Sequence, residues 1–114
     1  MAAGRVESGT QSATTDHALG SGSSTAGVYV CSWNLTAMGA SGVVRCYVKS
    51  KVLTGDTAEE SWSGYFSGVD GGGDPIVFSD PIVNGGGFAV QCGVEEIGSN
   101  TISIPWALDR VAEY

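Results

Sequence analysis

The chain has 114 residues, 42% of them hydrophobic, a net charge of −7, and only five basic residues: Arg5, Arg45, Lys49, Lys51 and Arg110. That size suits one domain with a single modest core, and the scarcity of cations excludes a general surface for nucleic-acid phosphates. No stretch approaches the ~18 apolar residues of a membrane-spanning helix, and the N-terminal segment lacks the apolar centre of a secretory signal, so the expectation is a cytosolic protein that binds neither nucleic acid nor membrane.

Residues 1–25 are rich in Ser, Thr, Gly and Ala and poor in large apolar side chains. They predict an extended arm or flexible segment with at most one first strand, "GSGSSTAG" acting as a connector. Residues 26–114 then predict the folded domain. In "GVYVCSWNL", Tyr29, Cys31, Trp33 and Leu35 alternate with Val28, Val30, Ser32 and Asn34, the period of a strand. "TAMGASG" is a loop or short turn. "VVRCYVKSKVL" is the clearest half-buried strand: Val44, Cys46, Val48 and Val52 point one way, Arg45, Tyr47, Lys49 and Lys51 the other. "TGDT" is a turn. In "EESWSGYFSG", Trp62, Gly64 and Phe66 share a face opposite Tyr65, and Gly64 marks a bulge or a close backbone approach. "DGGGDPIVFSDPIVNGGG", Asp70 to Gly87, holds two short apolar runs that each begin with proline, between glycine clusters that read as turns. "GFAVQCGVEEI" places Phe88, Val90, Cys92 and Val94 on one face, and "ISIPWALDRVAEY" closes the chain on a strand that Pro105 assigns to a sheet edge. Seven or eight short alternating strands with no 3.6-residue stripe predict an all-β chain, an antiparallel β-sandwich of jelly-roll or related Greek-key type with an extended N-terminal arm.

The inventory for catalysis is thin. His17 is the single histidine and lies in the least patterned region, and no Gly-x-Ser-x-Gly nucleophile elbow occurs. Glu59–Glu60 and Glu95–Glu96 are carboxylate pairs, but neighbours on a strand face opposite ways. Asp70, Asp74 and Asp80 offer oxygens to a cation in a spacing that is not an EF-hand's. The three cysteines, Cys31, Cys46 and Cys92, are odd in number and form no CxxC pair, so they are expected as reduced, buried small hydrophobes. No enzyme activity, cofactor or metal is expected. Binding remains. Trp33 and Trp106 read as core. Tyr47 shares a face with Arg45, Lys49 and Lys51 and is a candidate contact residue. A row of aromatics on a sandwich keeps a carbohydrate-binding module as an alternative.

The stretches "GTQSATTDHALG", "TAGVYVCSWNLTAM", "RCYVKSKVLTGDT" and "PWALDRV", in that order, resemble a family of small tailed-phage virion proteins, the head-decoration or cement proteins. The resemblance covers most of residues 9–57 and 104–111; Asn34 stands where the family pattern has aspartate, and "GASG" replaces a Gly-Asp turn. It implies a structural protein on the capsid exterior of the virion, assembled in the bacterial cytoplasm, often a homotrimer bound to the major capsid protein. Arg5, Arg45, Tyr47, Lys49 and Lys51 are the candidate capsid or subunit contacts. A tail-associated or receptor-binding virion protein is the alternative that shares fold and composition.

Overall fold

A computed structural model describes residues 4–13, 15–38, 42–51, 57–67, 76–86, 89–97 and 102–112. The described residues form nine strands: β1 (Gly4–Ala13), β2 (Asp16–Ser23), β3 (Gly27–Asn34), β4 (Val43–Ser50), β5 (Glu59–Ser67), β6 (Ile76–Phe78), β7 (Ile82–Asn84), β8 (Val90–Glu96) and β9 (Ile102–Ala112). They make two antiparallel sheets. Sheet A has the order β1-β9-β3-β6, with β7 also on β3, and sheet B the order β2-β8-β4-β5.

The pairing has one simple rule. β4 pairs with β5, β3 with β6 and β7, β2 with β8, and β1 with β9. Val44 meets Phe66 and Gly9 meets Trp106, so near and far pairs alike are centred close to the middle of the chain. The chain is one long antiparallel ribbon that folds over itself, and the added pairs β3–β9 and β4–β8 join its turns into sheets. The "TGDT" turn expected at the ribbon's tip lies largely outside the described residues, as do Val52 and Phe88.

The alternation read from the sequence decides what each strand buries. Tyr29, Cys31 and Trp33 from β3, Val44, Cys46 and Val48 from β4, Val90, Cys92 and Val94 from β8, and Ile102, Ile104, Trp106 and Leu108 from β9 form the core between the sheets. Trp62 and Phe66 of β5 pack on it, while Tyr65 points to solvent. Trp33 stacks on Trp62 across the two sheets, ring centroids 5.6 Å apart. At Gly64 the outcome is close approach: a side chain there would press on the Phe66 ring. The bulge of this pair lies instead at Val48/Lys49.

Three expectations are corrected. Residues 4–13 and 16–23 are not an arm: they are the edge strands of sheets A and B. Their small polar residues suit edges, where Leu19 alone of β2 is fully buried. The "GSGS" connector is a bulged end of β2, with Gly20 and Gly22 at positive φ, and the Glu7 carboxylate of β1 accepts the N–H groups of Ser21 (3.2 Å) and Gly22 (2.7 Å). Second, β9 is central in sheet A, between β1 and β3. Pro105 is tolerated because pairing with β3 ends at Trp33↔Trp106, leaving β1 as the strand's one neighbour at the proline. Third, Cys31 and Cys92 are joined by a disulfide that ties β3 of sheet A to β8 of sheet B, and Cys46 is the free buried thiol. The sequence shows both cysteines on core faces but not that those faces oppose each other.

Residues 70–75 and 87 of the Asp70–Gly87 stretch lie outside the described residues. Its two apolar runs are β6 and β7, both on the edge of sheet A as their prolines suggest. Ser79 bridges the gap between them: its N–H donates to the Cys31 carbonyl (2.8 Å) and its hydroxyl accepts the Cys31 N–H (2.9 Å).

Candidate interaction surfaces

The outward face of sheet B carries three of the candidate contact residues, Arg45, Tyr47 and Lys49. Cross-strand partners share a face, so Tyr65, Arg45, Glu95 and Asp16 form one row and Ser63, Tyr47, Gly93 and Ala18 the next. Lys49 lies between Glu60 and Gln91. The register therefore delivers carboxylates to the cations. Arg45 donates through Nη1 to Glu60 (2.6 Å) and through Nε to Glu95 (2.9 Å). The Glu60 bond, with Glu95 helping against the cost of burial, holds the guanidinium pKa above its ordinary value.

Tyr47 is 3% exposed, although it points outward. Its ring lies flat across Gly93 of β8, in space that any side chain at that position would occupy. The Arg45 guanidinium sits 4.5 Å from the ring centroid and Lys49 Nζ 5.5 Å, and the phenol donates to the Asp16 carboxylate. Burial, then the bond to Asp16, raises the phenol's pKa above its ordinary 10.0. Arg45, Tyr47, Lys49 and Asp16 thus make one internally paired layer over sheet B. Lys51 follows β4 and is half-buried.

The outward face of sheet A has the opposite character. Phe78, Ser32, Ala107 and Ser8 share one row, Val83, Val28 and Ala112 another, and Val30, Asp109 and Arg5 lie between. Its charged pair is Arg5 with Asp109, Nε to Oδ1 2.5 Å, which neutralises itself. Phe78 is 64% exposed, Val83 62%, and Val111 and Ile76 are also exposed. A hollow of about 300 Å³ lies on this side, walled by Ile76, Pro105 and Arg5 with Ser32, Asn34 and Ala107 among its lining. Small residues at the centre and large apolar ones along the β6–β7 edge form an apolar shelf. These exposed apolar side chains on one face make it a candidate interaction surface.

Of the five candidate residues, the structure gathers Arg45, Tyr47 and Lys49 on sheet B and puts Arg5 on the opposite sheet. The sheet A shelf is what residue-by-residue reading misses. One signal for it is present: Val28 and Val30 are apolar at the outward positions of β3, whereas β4 carries Arg45 and Lys49 there. A strand apolar on both sides is one that expects cover on both sides. Among the described residues no group of three or more His, Cys, Asp or Glu side chains is placed to hold a metal ion. No family model, curated protein or solved structure matches this chain.

Proposed function

We propose that this chain is a virion structural protein of a tailed phage, a jelly-roll decoration protein that binds the assembled shell of major capsid protein from outside and does so as a homotrimer. The observation that carries the reading is the outward face of sheet A, an apolar shelf on an otherwise acidic molecule, presenting Phe78, Val83 and Ile76 to solvent. A chain whose work is binding needs such a face. The resemblance over residues 9–57 and 104–111 supplies the kind of partner. The ribbon topology supports the jelly-roll assignment, because a jelly roll is built from two antiparallel sheets, and here a five-stranded and a four-stranded sheet are wound from one folded ribbon.

The mechanism is mass action. A protein that binds only the assembled shell stabilises it against every state in which the shell has come apart. Repetition over a lattice turns weak individual contacts into avid attachment, and a three-fold arrangement sets one patch of each subunit against a different patch of the next. Bacterial cytoplasm is the compartment of assembly and the capsid exterior the final location in this reading.

The test is co-sedimentation of purified protein with expanded heads, alongside its mass in solution. The expected result is a trimer that saturates the heads, with Phe78→Asp and Val83→Asp folded but poorly attached. A stable monomer without affinity for heads, or particle images placing it on the tail, overturns the reading.

A further inference from the structure

Among the described residues the sheets end in four edges: β1 and the β6–β7 pair on sheet A, β2 and β5 on sheet B. An open edge presents a row of N–H and C=O groups to any passing strand, and proteins blunt it with breaks, bulges, proline or lysine. Three of these edges have little to pair with. The β6–β7 edge is short and interrupted. The register of β2 shifts between Leu19 and Ser23, with Gly20 and Gly22 at positive φ. β1 is bulged between Arg5 and Glu7, and beyond that its Ser8, Gly9, Thr10, Gln11 and Ser12 have little apolar surface to bury.

β5 is different. It runs nine residues, Glu59 to Ser67, without proline or lysine. Its ladder with β4 is regular from Val43↔Ser67 to Val48↔Trp62, and the bulge falls beyond that, at Val48/Lys49. Among the described residues β4 is its one strand neighbour, so alternate backbone groups of β5 point away from the sheet. The strand also has apolar surface left to bury. Trp62 and Phe66 are only partly buried against the core, and Tyr65 is 67% exposed on the outward face. The Trp62 and Phe66 rings lean together over Gly64, where a Cβ would meet Phe66 Cζ at 3.0 Å and Trp62 Cη2 at 3.5 Å.

This strand is complementary to itself. With a second β5 set antiparallel and Gly64 on the two-fold axis, Trp62 of each copy lies opposite Phe66 of the other on the inner face. Ser63 lies opposite Tyr65 on the outer face. Aromatic pairs directly across a ladder are favourable, and like charges there are not. Glu59 and Glu60 fall outside this stretch, at opposite ends of the contact. Moving the axis towards the N-terminus draws the carboxylates of both copies into the ladder, so charge and ring pairing select the same register.

We propose that the β5 edge is an interface with a second copy of this chain, paired antiparallel about Gly64, so that sheet B of one copy continues into sheet B of the other. The contact is isologous. Its core is Trp62 to Phe66 on each side, far short of the roughly 20–30 residues a side of a stable interface. It is therefore weak alone and gains from repetition on an array. A two-fold contact joins one trimer of the reading above to the next, and it rests on neither the trimer nor the shell.

The experiment is sedimentation of the full chain over a concentration series, with hydrogen exchange of the Trp62–Phe66 amides at each concentration, for the native chain and two double variants. Ser63 and Tyr65 are exposed, so both variants keep the fold, which an unchanged urea midpoint checks. Ser63→Lys with Tyr65→Lys sets like charges opposite each other twice across the axis. Ser63→Lys with Tyr65→Glu sets opposite charges there. The expected result is a doubling of mass at high concentration with slower exchange in Trp62–Phe66, weakened about tenfold in the Lys/Lys variant and retained in the Lys/Glu variant. General repulsion predicts the reverse ranking, because two added cations bring the net charge from −7 to −5 and the Lys/Glu pair leaves it at −7. No doubling at millimolar protein, doubling without slower exchange in β5, or equal association in the two variants overturns the interface. Slower exchange in β5 only after expanded heads are added gives the edge to another polypeptide and overturns the second copy. Protein that doubles but binds no heads keeps this interface and overturns the decoration reading; protein that binds heads but never doubles does the reverse.

Discussion

Gly93 is glycine because Tyr47 lies across it, and that contact shows how much single residues decide here. Adding one methyl in Gly93→Ala forces the ring off β8, breaks the bond from the phenol to Asp16 and uncovers the surface the ring was sealing. The expected loss is about 1–3 kcal/mol, the usual cost of forcing extra atoms into a packed site, read as a lower urea midpoint with an unchanged m-value. Cys46 carries a pH dependence. Burial pushes its thiol up to about 12 from an ordinary 9.0. Above pH 9 the unfolded chain releases this proton while the folded chain keeps it, so the unfolded state binds fewer protons and stability falls as pH rises. The contribution is complete below pH 9 and is lost progressively towards pH 12, on the order of 1 kcal/mol for each pH unit. Tyr47 acts in the same direction. Cys46→Val is expected to flatten part of the decline between pH 9 and 11; identical slopes in both proteins would show that the thiol is not shielded. These two residues were unequally legible. Cys46 is inward by simple alternation, but the burial of outward-pointing Tyr47 depends on a glycine 46 positions away that only strand order brings beneath it.

At the scale of elements, the Cys31–Cys92 bond and the β6–β7 edge stand out. The disulfide spans 61 positions and crosses between sheets. Loop-closure entropy for a span of that size is worth roughly 4 kcal/mol, so unfolding in the presence of reductant is expected at markedly lower denaturant than without it. Alkylation of the unfolded protein counts the thiols: one modified cysteine without reductant, three with it. The proposed assembly in the cytoplasm adds a second expectation, since that compartment keeps thiols reduced. Cells lysed directly into alkylating denaturant should yield the triply modified chain, and mature particles the singly modified one. Singly modified chain from intact cells would argue for an oxidising compartment instead. The β6–β7 edge is short, broken by Ser79–Asp80–Pro81 between its two runs. Short interrupted edges resist pairing with other chains, which leaves the side chains of Phe78 and Val83, and not the backbone, as the contact this edge offers. The prolines and the alternation announced both strands. Which sheet they joined was not announced, because a three-residue run carries too little pattern to choose a partner.

For the whole molecule, the two outward faces differ: sheet B pairs Arg45 with Glu60 and Glu95 beside the exposed Tyr65, and sheet A exposes Phe78, Val83 and Ile76 around the Arg5–Asp109 pair. Reversing charge on sheet B with Lys49→Glu is therefore expected to change head occupancy less than Phe78→Asp on sheet A, in a co-sedimentation assay with both variants folded; the opposite ranking would return the contact to the Arg45, Tyr47 and Lys49 layer. The chain's sequence determined that this is an all-β domain, which residues of the long strands face inward, and where glycine and proline end them. Those are local properties, carried by a two-residue period and by the backbone limits of single residues. Tertiary structure alone decided that residues 4–13 and 16–23 are edge strands, that Cys31 faces Cys92, that Glu60 and Glu95 neutralise Arg45, and that Arg5 and Arg110 line one cavity. Each of these depends on which strand lies beside or opposite which, and pairing across tens of residues follows from the joint packing of the whole ribbon, which no local pattern encodes.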